Sequence, residues 1–185
     1  LRLALYSGNV ISELQRTSVV PLLLADDPAI RDALVRGKFP DTTLRLMKVQ
    51  EEIGVASIIL LDKDGRTVGA TDRNLLGPLH RDRSYFFEAQ RSRDTVFAAE
   101  PREGGGIDFT YSRGITAEGR VLGVIVVGVD LMKHERAWAG LQDAVVVADS
   151  EGTVLLATEP AWRGKSVDQA LVSAESPSAF GRALK

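Results

Sequence analysis

Over the first 54 residues apolar positions recur at helical spacing; beyond them they gather into short runs broken by turns. Leu3, Tyr6, Val10 and Leu14 form one stripe, the pattern of a helix that buries a single face. Pro21 should kink or stop this helix, because it lacks the N–H that an interior turn donates. Asp27-Pro28 reads as a fresh start, an Asp N-cap followed by Pro at the first helical position. Ile30, Ala33 and Leu34 line that helix and Gly37 can end it. Pro40-Asp41 opens a third helix, with Leu46, Val49 and Ile53 on one face and Gly54 as the stop.

From Val55 the period changes. Ala56–Leu61 is a short apolar run, Asp62-Lys63-Asp64-Gly65 a turn, and Arg66–Thr71 a second extended stretch. Together they predict a β-hairpin in which Gly65 supplies a positive φ. Arg81–Ser92 suits a helix, Thr95–Ala99 a short strand, and Gly104–Gly106 a loop. Ile107–Ile115 and Arg120–Leu131 read as long strands joined at Ala117-Glu118-Gly119, and Met132–Leu141 as a connecting helix with Trp138 on its apolar side.

The hairpin text then returns. Ile59–Asp72 resembles Val146–Glu159 at an offset of 87 residues, with Asp62/Asp149, Gly65/Gly152, Ala70/Ala157 and Thr71/Thr158 identical, and the match carries on to Gly77 and Gly164. The reading is two modules of one type in tandem, in separate sheets. The second is small or incomplete, ending in an Ala/Ser-rich tail over Ser166–Ala183. A helical segment followed by antiparallel sheet places the chain in the α+β class.

Composition narrows the function. The 185 residues are 44% apolar and 26% charged, an ordinary globular mix that excludes a disordered tail or a coiled coil. A net charge of −2 gives no nucleic-acid footprint. The absence of cysteine excludes disulfides, thiolate metal sites and Cys nucleophiles. The longest apolar runs, Val19–Ala25 and Val121–Val129, fall far short of the roughly 20 residues of a bilayer span. Position 1 is Leu rather than Met, so a fragment of a longer protein is expected.

Four blocks of text, in order, carry a resemblance. They are Pro21–Leu34; Arg83-Ser-Tyr85-Phe86-Phe-Glu-Ala89; Gly119–Asp130; and Ala137-Trp138 through Asp149 to Pro160-Ala-Trp162. In these the chain resembles the extracytoplasmic tandem PAS-like (double Cache) sensor domain of bacterial C4-dicarboxylate sensor histidine kinases. The resemblance implies a long N-terminal helix leading into two PAS-like antiparallel-sheet modules. It divides the chain into a helical segment over 1–54, a membrane-distal ligand-binding module over 55–131 and a partial membrane-proximal module over 132–185. It further implies the periplasmic part of an inner-membrane signalling protein, with no enzymatic activity in this fragment. The expected anchors are transmembrane helices outside the fragment, the expected assembly a homodimer, and the expected output a histidine kinase. A diguanylate cyclase or chemoreceptor output, or a ligand-independent dimerisation module, are the alternatives.

The family's Arg-x-Tyr-Phe motif falls on Arg83, Tyr85 and Phe86, where the resemblance puts the arginine on a ligand carboxylate. A guanidinium suits this role because its planar fork pairs bidentately with a carboxylate. Thr110 and Ser112, on one face of a strand by the period of two, are the expected hydroxyl contacts, and Tyr85 or Tyr111 is expected to close the site. Two departures set specificity. His80 stands where family members carry an aromatic, and Gly128 where the dicarboxylate sensors carry Lys. The expected ligand is therefore a monocarboxylate, or a bulkier acid whose second charge is met elsewhere, rather than succinate. The blander readings are a solvated Arg83 at a helix start and a core pair at Tyr85-Phe86. His80 and His134 are isolated, so no metal is expected. Ser84, His80 and Asp82 crowd one turn and make no triad, and no G-x-S-x-G elbow exists. Gly104–Gly106 lacks the context of a phosphate loop. No cofactor is expected.

Overall fold

The computed structural model describes residues 7–102, 106–138 and 145–174. The chain divides into two compact units, one of Glu13–Asp130 and one of Leu1–Ser12 with Leu131–Lys185. Of the predicted N-terminal stripe, Leu3 and Tyr6 lie outside the described residues, whereas Val10 is buried on α1 (Ser7–Ser18). The chain breaks near Pro21, but the proline sits in the first turn of α2 (Val20–Ala25) rather than ending α1. There its missing N–H costs nothing, since first-turn donors have no intrahelical partner. α3 (Pro28–Arg36) starts as predicted, with Asp27 accepting a hydrogen bond from the Ala29 N–H at 2.9 Å. α4 (Thr42–Ile53) follows, and Gly37 and Gly54 end these two helices in the left-handed conformation.

The larger unit is built on a five-stranded antiparallel sheet in the order β2-β1-β5-β4-β3. Its strands are β1 (Ser57–Asp62), β2 (Thr67–Ala70), β3 (Val96–Pro101), β4 (Ile107–Ala117) and β5 (Arg120–Val129). Alternation sends Ile58, Leu60, Ile125 and Val127 to one face, where they pack with Val20, Leu24, Ile30 and Leu46 of the helices. Ile59, Leu61, Val124 and Val126 go to the other face, beneath Tyr85, Phe86 and Ala89 of α5 (Ser84–Arg91). Both faces of β1 and β5 are thus covered, which is why their sequences are unbroken apolar runs.

The α5 helix starts three residues later than its apolar pattern suggests. The chain before it is held extended against the hairpin: Thr67 N–H donates to Pro78 O at 3.0 Å and His80 N–H to Gly65 O at 2.7 Å. Gly65 has φ +82°, and a Cβ there would lie 2.9 Å from the Arg81 nitrogen, so the turn needs glycine twice over.

In the smaller unit the first hairpin is repeated bond for bond. β6 (Val146–Ala148) and β7 (Val154–Ala157) pair with the register and bulge of β1 and β2, in a separate two-stranded sheet. Asp149 accepts from the Glu151 and Thr153 N–H groups as Asp62 does from those of Asp64 and Arg66. Thr158 accepts from the Val145 N–H as Thr71 does from that of Ile58. α6 (Met132–Trp138) buries Trp138 as predicted and ties itself to β7 through Glu135, which accepts from the Ala157 N–H at 2.7 Å and pairs with Arg163. The tail is not without structure: Val167–Ala174 is a helix, α7, with Ala170 buried against Val154 and Trp162. Small residues at its Ala and Ser positions hid an ordinary helical period.

Candidate functional site

Registers across the larger sheet set Ser57, Gly128, Thr110 and Ala98 side by side on β1, β5, β4 and β3, on the face that α5 covers. Directly opposite residues share a face, so this row of small side chains runs across four strands. One pleat to one side lie Val126, Ser112 and Val96; one pleat to the other lie Asp108 and Glu100.

The segment leading into α5 adds the polar groups. His80 Nδ1 and Tyr85 Oη are hydrogen-bonded at 2.5 Å. Burial, and secondarily the Arg83 cation, lowers the His80 pKa below its usual 6.5, so the ring is neutral at pH 7. Burial pushes the Tyr85 hydroxyl up to about 12, Arg83 opposing this shift and Glu100 and Asp108 adding to it. His80 Nε2 is buried without a partner, and so is Thr110 Oγ1. A buried polar atom left unmet costs about 1–3 kcal/mol, so these two call for an explanation.

Arg83 is the N-cap residue of α5 and is 54% exposed, its Nη1 lying 3.6 Å from Glu100 Oε2. Glu100 is itself held by Ser84, whose N–H donates to Oε1 at 2.9 Å and whose hydroxyl donates to the same oxygen. The guanidinium is therefore tethered loosely at the edge of the row, its fork incompletely used.

Two predicted contacts are corrected. Ser112 is fully buried and its hydroxyl donates to Tyr85 O at 2.9 Å, so it anchors α5 to β4 and has no proton to offer a ligand. Tyr111 lies on the opposite face, opposite Val127, with its ring 5.1 Å from that of Phe97. It cannot close a site beneath α5, and the alternation that joins Thr110 to Ser112 excludes it. Thr110 and Gly128 do lie in the row, and His80, Tyr85 and Arg83 come together at its α5 side.

Sequence reasoning passed over Ser57 and Glu100. Ser57 was legible from register alone, once β1 is paired with β5; nothing in the text near Glu100 marked it. A cavity of about 330 Å³ also opens between α3 and α4, lined by Asp32, Lys38, Asp41, Thr42 and Arg45 among others. Its charges balance, and Arg45 is bonded to Asp27 at 2.6 Å, so it offers no uncommitted guanidinium.

Among the described residues no helix is long and apolar enough to cross a membrane. No protein-family model matches the chain. It is 28% identical over 169 residues to the C4-dicarboxylate transport sensor protein DctB of Pseudomonas aeruginosa, covering 87% of this chain and 28% of that protein. It is 30% identical over 156 residues to the DctB of Rhizobium meliloti, covering 80% of this chain and 25% of that protein. The chain thus spans about a quarter of the length of these curated relatives. Among solved structures, the sensor domain of the V. cholerae histidine kinase DctB superposes with a TM-score of 0.72 at 27% identity, over 88% of this chain and 66% of that one. The ligand-binding domain of the Pseudomonas aeruginosa chemoreceptor PctC, solved with GABA, shares the fold with a TM-score of 0.67 at 19% identity, over 91% of this chain and 78% of that one. The chain is homologous to the DctB sensor proteins and carries a Cache-type sensor fold.

Proposed function

We propose that this chain is the extracytoplasmic ligand-sensing domain of a membrane-anchored histidine kinase and that it binds a small carboxylate beneath α5. The observation that carries this reading is the pair of unmet buried groups, His80 Nε2 and Thr110 Oγ1, on the same face as the loosely held Arg83. A ligand carboxylate displaces Glu100 as the partner of Arg83 and forms the bidentate pair that a 3.6 Å contact does not. Tyr85 orients His80 and shields the pair from water. The module boundaries at 55–131 and 132–185 go with this reading, which is supported by the repeated hairpin. A homodimer is supported by Ile11, Val19 and Leu22, which leave the N-terminal helices with exposed apolar side chains. Signalling follows by linkage: ligand shifts the domain between two arrangements by its differential affinity for them.

Calorimetry against a panel of short mono- and dicarboxylates tests the site. Arg83→Ala is expected to weaken the best ligand about tenfold to a hundredfold, the range for a charge-assisted pair only partly shielded from solvent. Equal affinity in the variant removes Arg83 from the site. No binding by any member of the panel overturns the carboxylate reading.

A further inference from the structure

We infer that Ser57 is a specificity-determining residue of this site and that the ligand is a short monocarboxylate bearing a hydroxyl group; the inference rests on the carboxylate reading above. A Cβ built on Gly128 would collide with Ser57 Oγ, so the serine hydroxyl leans over the glycine, toward Thr110 in the next strand. The space over Gly128 is thus taken by the Ser57 hydroxyl. Three uncharged polar groups therefore meet the inner end of a ligand whose carboxylate sits at Arg83: Ser57 Oγ, Thr110 Oγ1 and His80 Nε2.

Each of the three suits a hydroxyl. Ser and Thr hydroxyls both donate and accept, and His80 Nε2 is a donor when Tyr85 donates to Nδ1 and an acceptor when the ring donates to Tyr85. A ligand hydroxyl satisfies either arrangement. A second carboxylate accepts only, and it would lie one pleat from Glu100 and Asp108, whose charges repel it. A methyl group leaves both buried groups unmet, and an ammonium, which only donates, meets His80 Nε2 only in the arrangement where that atom accepts.

The test uses matched probes: lactate, propionate and alanine, which differ only in hydroxyl, hydrogen or ammonium at one carbon, and 3-hydroxybutyrate against butyrate and succinate. Calorimetry on the chain is expected to show the hydroxy acid of a set binding about three- to tenfold more tightly than its deoxy analogue, the range of one net hydrogen bond. Ser57→Ala is expected to reduce that preference, with Thr110 and His80 left as the remaining partners of the hydroxyl. Gly128→Ala should do the same by turning the Ser57 hydroxyl aside. In the Ser57→Ala background it should add nothing, because the new Cβ then lies 3.6 Å from that of residue 57. Carboxylate binding without hydroxyl preference, or a preference undiminished in Ser57→Ala, overturns this inference and leaves the Arg83 site standing. Tighter binding of alanine or succinate overturns it too, and no binding by any probe overturns both.

Discussion

His80 brings to the site a ring that can titrate, and its environment decides how. Burial and Arg83 disfavour the imidazolium in the folded chain, while Tyr85 holds Nδ1 in a hydrogen bond. Below pH 6.5 the unfolded chain takes up a proton that folded His80 resists. The unfolded state then binds more protons, so stability rises with pH through this window and is lost on acidification. Melting temperatures followed from pH about 8 down to about 5.5 should fall more steeply for the parent than for His80→Phe. Parallel curves would show that His80 is no more burdened by charge in the fold than in the unfolded chain. Residue by residue, the site was half legible. Alternation alone separates Thr110 from Tyr111, but which face α5 covers is a tertiary fact. That Ser112 serves the backbone of α5 rather than a ligand depends on the helix lying close enough for its Tyr85 carbonyl to accept. Neither fact leaves a mark on local sequence.

The docking of α5 is the element on which the site depends, and it rests on close backbone approach. Gly114 of β4 lies beneath the end of the helix, where a Cβ would sit 2.8 Å from Ala89 O, a backbone atom that cannot turn aside. Together with the Ser112 bond to Tyr85, this fixes how deep the helix lies. Gly114→Ala is expected to lift α5 and to cost about 1–3 kcal/mol by overpacking, read as a lower urea midpoint at unchanged m-value. A change within about 0.5 kcal/mol, the scatter of ordinary surface substitutions, would show that the helix has slack. Helix limits in the sequence were fixed well where capping chemistry is local, as at Asp27 and Gly37. At α5 the limit shifted, because residues 78–80 were drawn into hydrogen bonds with the β1–β2 hairpin, 11 and 15 residues away in the chain. Sequence windows see the apolar period of Arg81–Ser92 but not that competing demand.

Over the whole molecule the repeat was the most informative signal, since a 14-residue match predicted two hairpins whose backbone bonds recur at the same offset. The match stops short of the row beneath α5. The first hairpin belongs to a sheet with three more strands and the α5-covered row, whereas the second pairs only with itself among the described residues. A ligand carried by this architecture should therefore act on one unit. At a hundredfold excess over its Kd it adds about 2.7 kcal/mol to the stability of the state that binds it. Hydrogen exchange should report that gain as slower exchange in β1, β4, β5 and α5, where the amides flank Ser57, Thr110, Gly128 and Arg83. Amides of β6 and β7 should be unaffected if their unit opens independently. Protection confined to β6 and β7 would put the ligand in the smaller unit, and Arg83 would then be the solvated helix-start cation of the plainer reading.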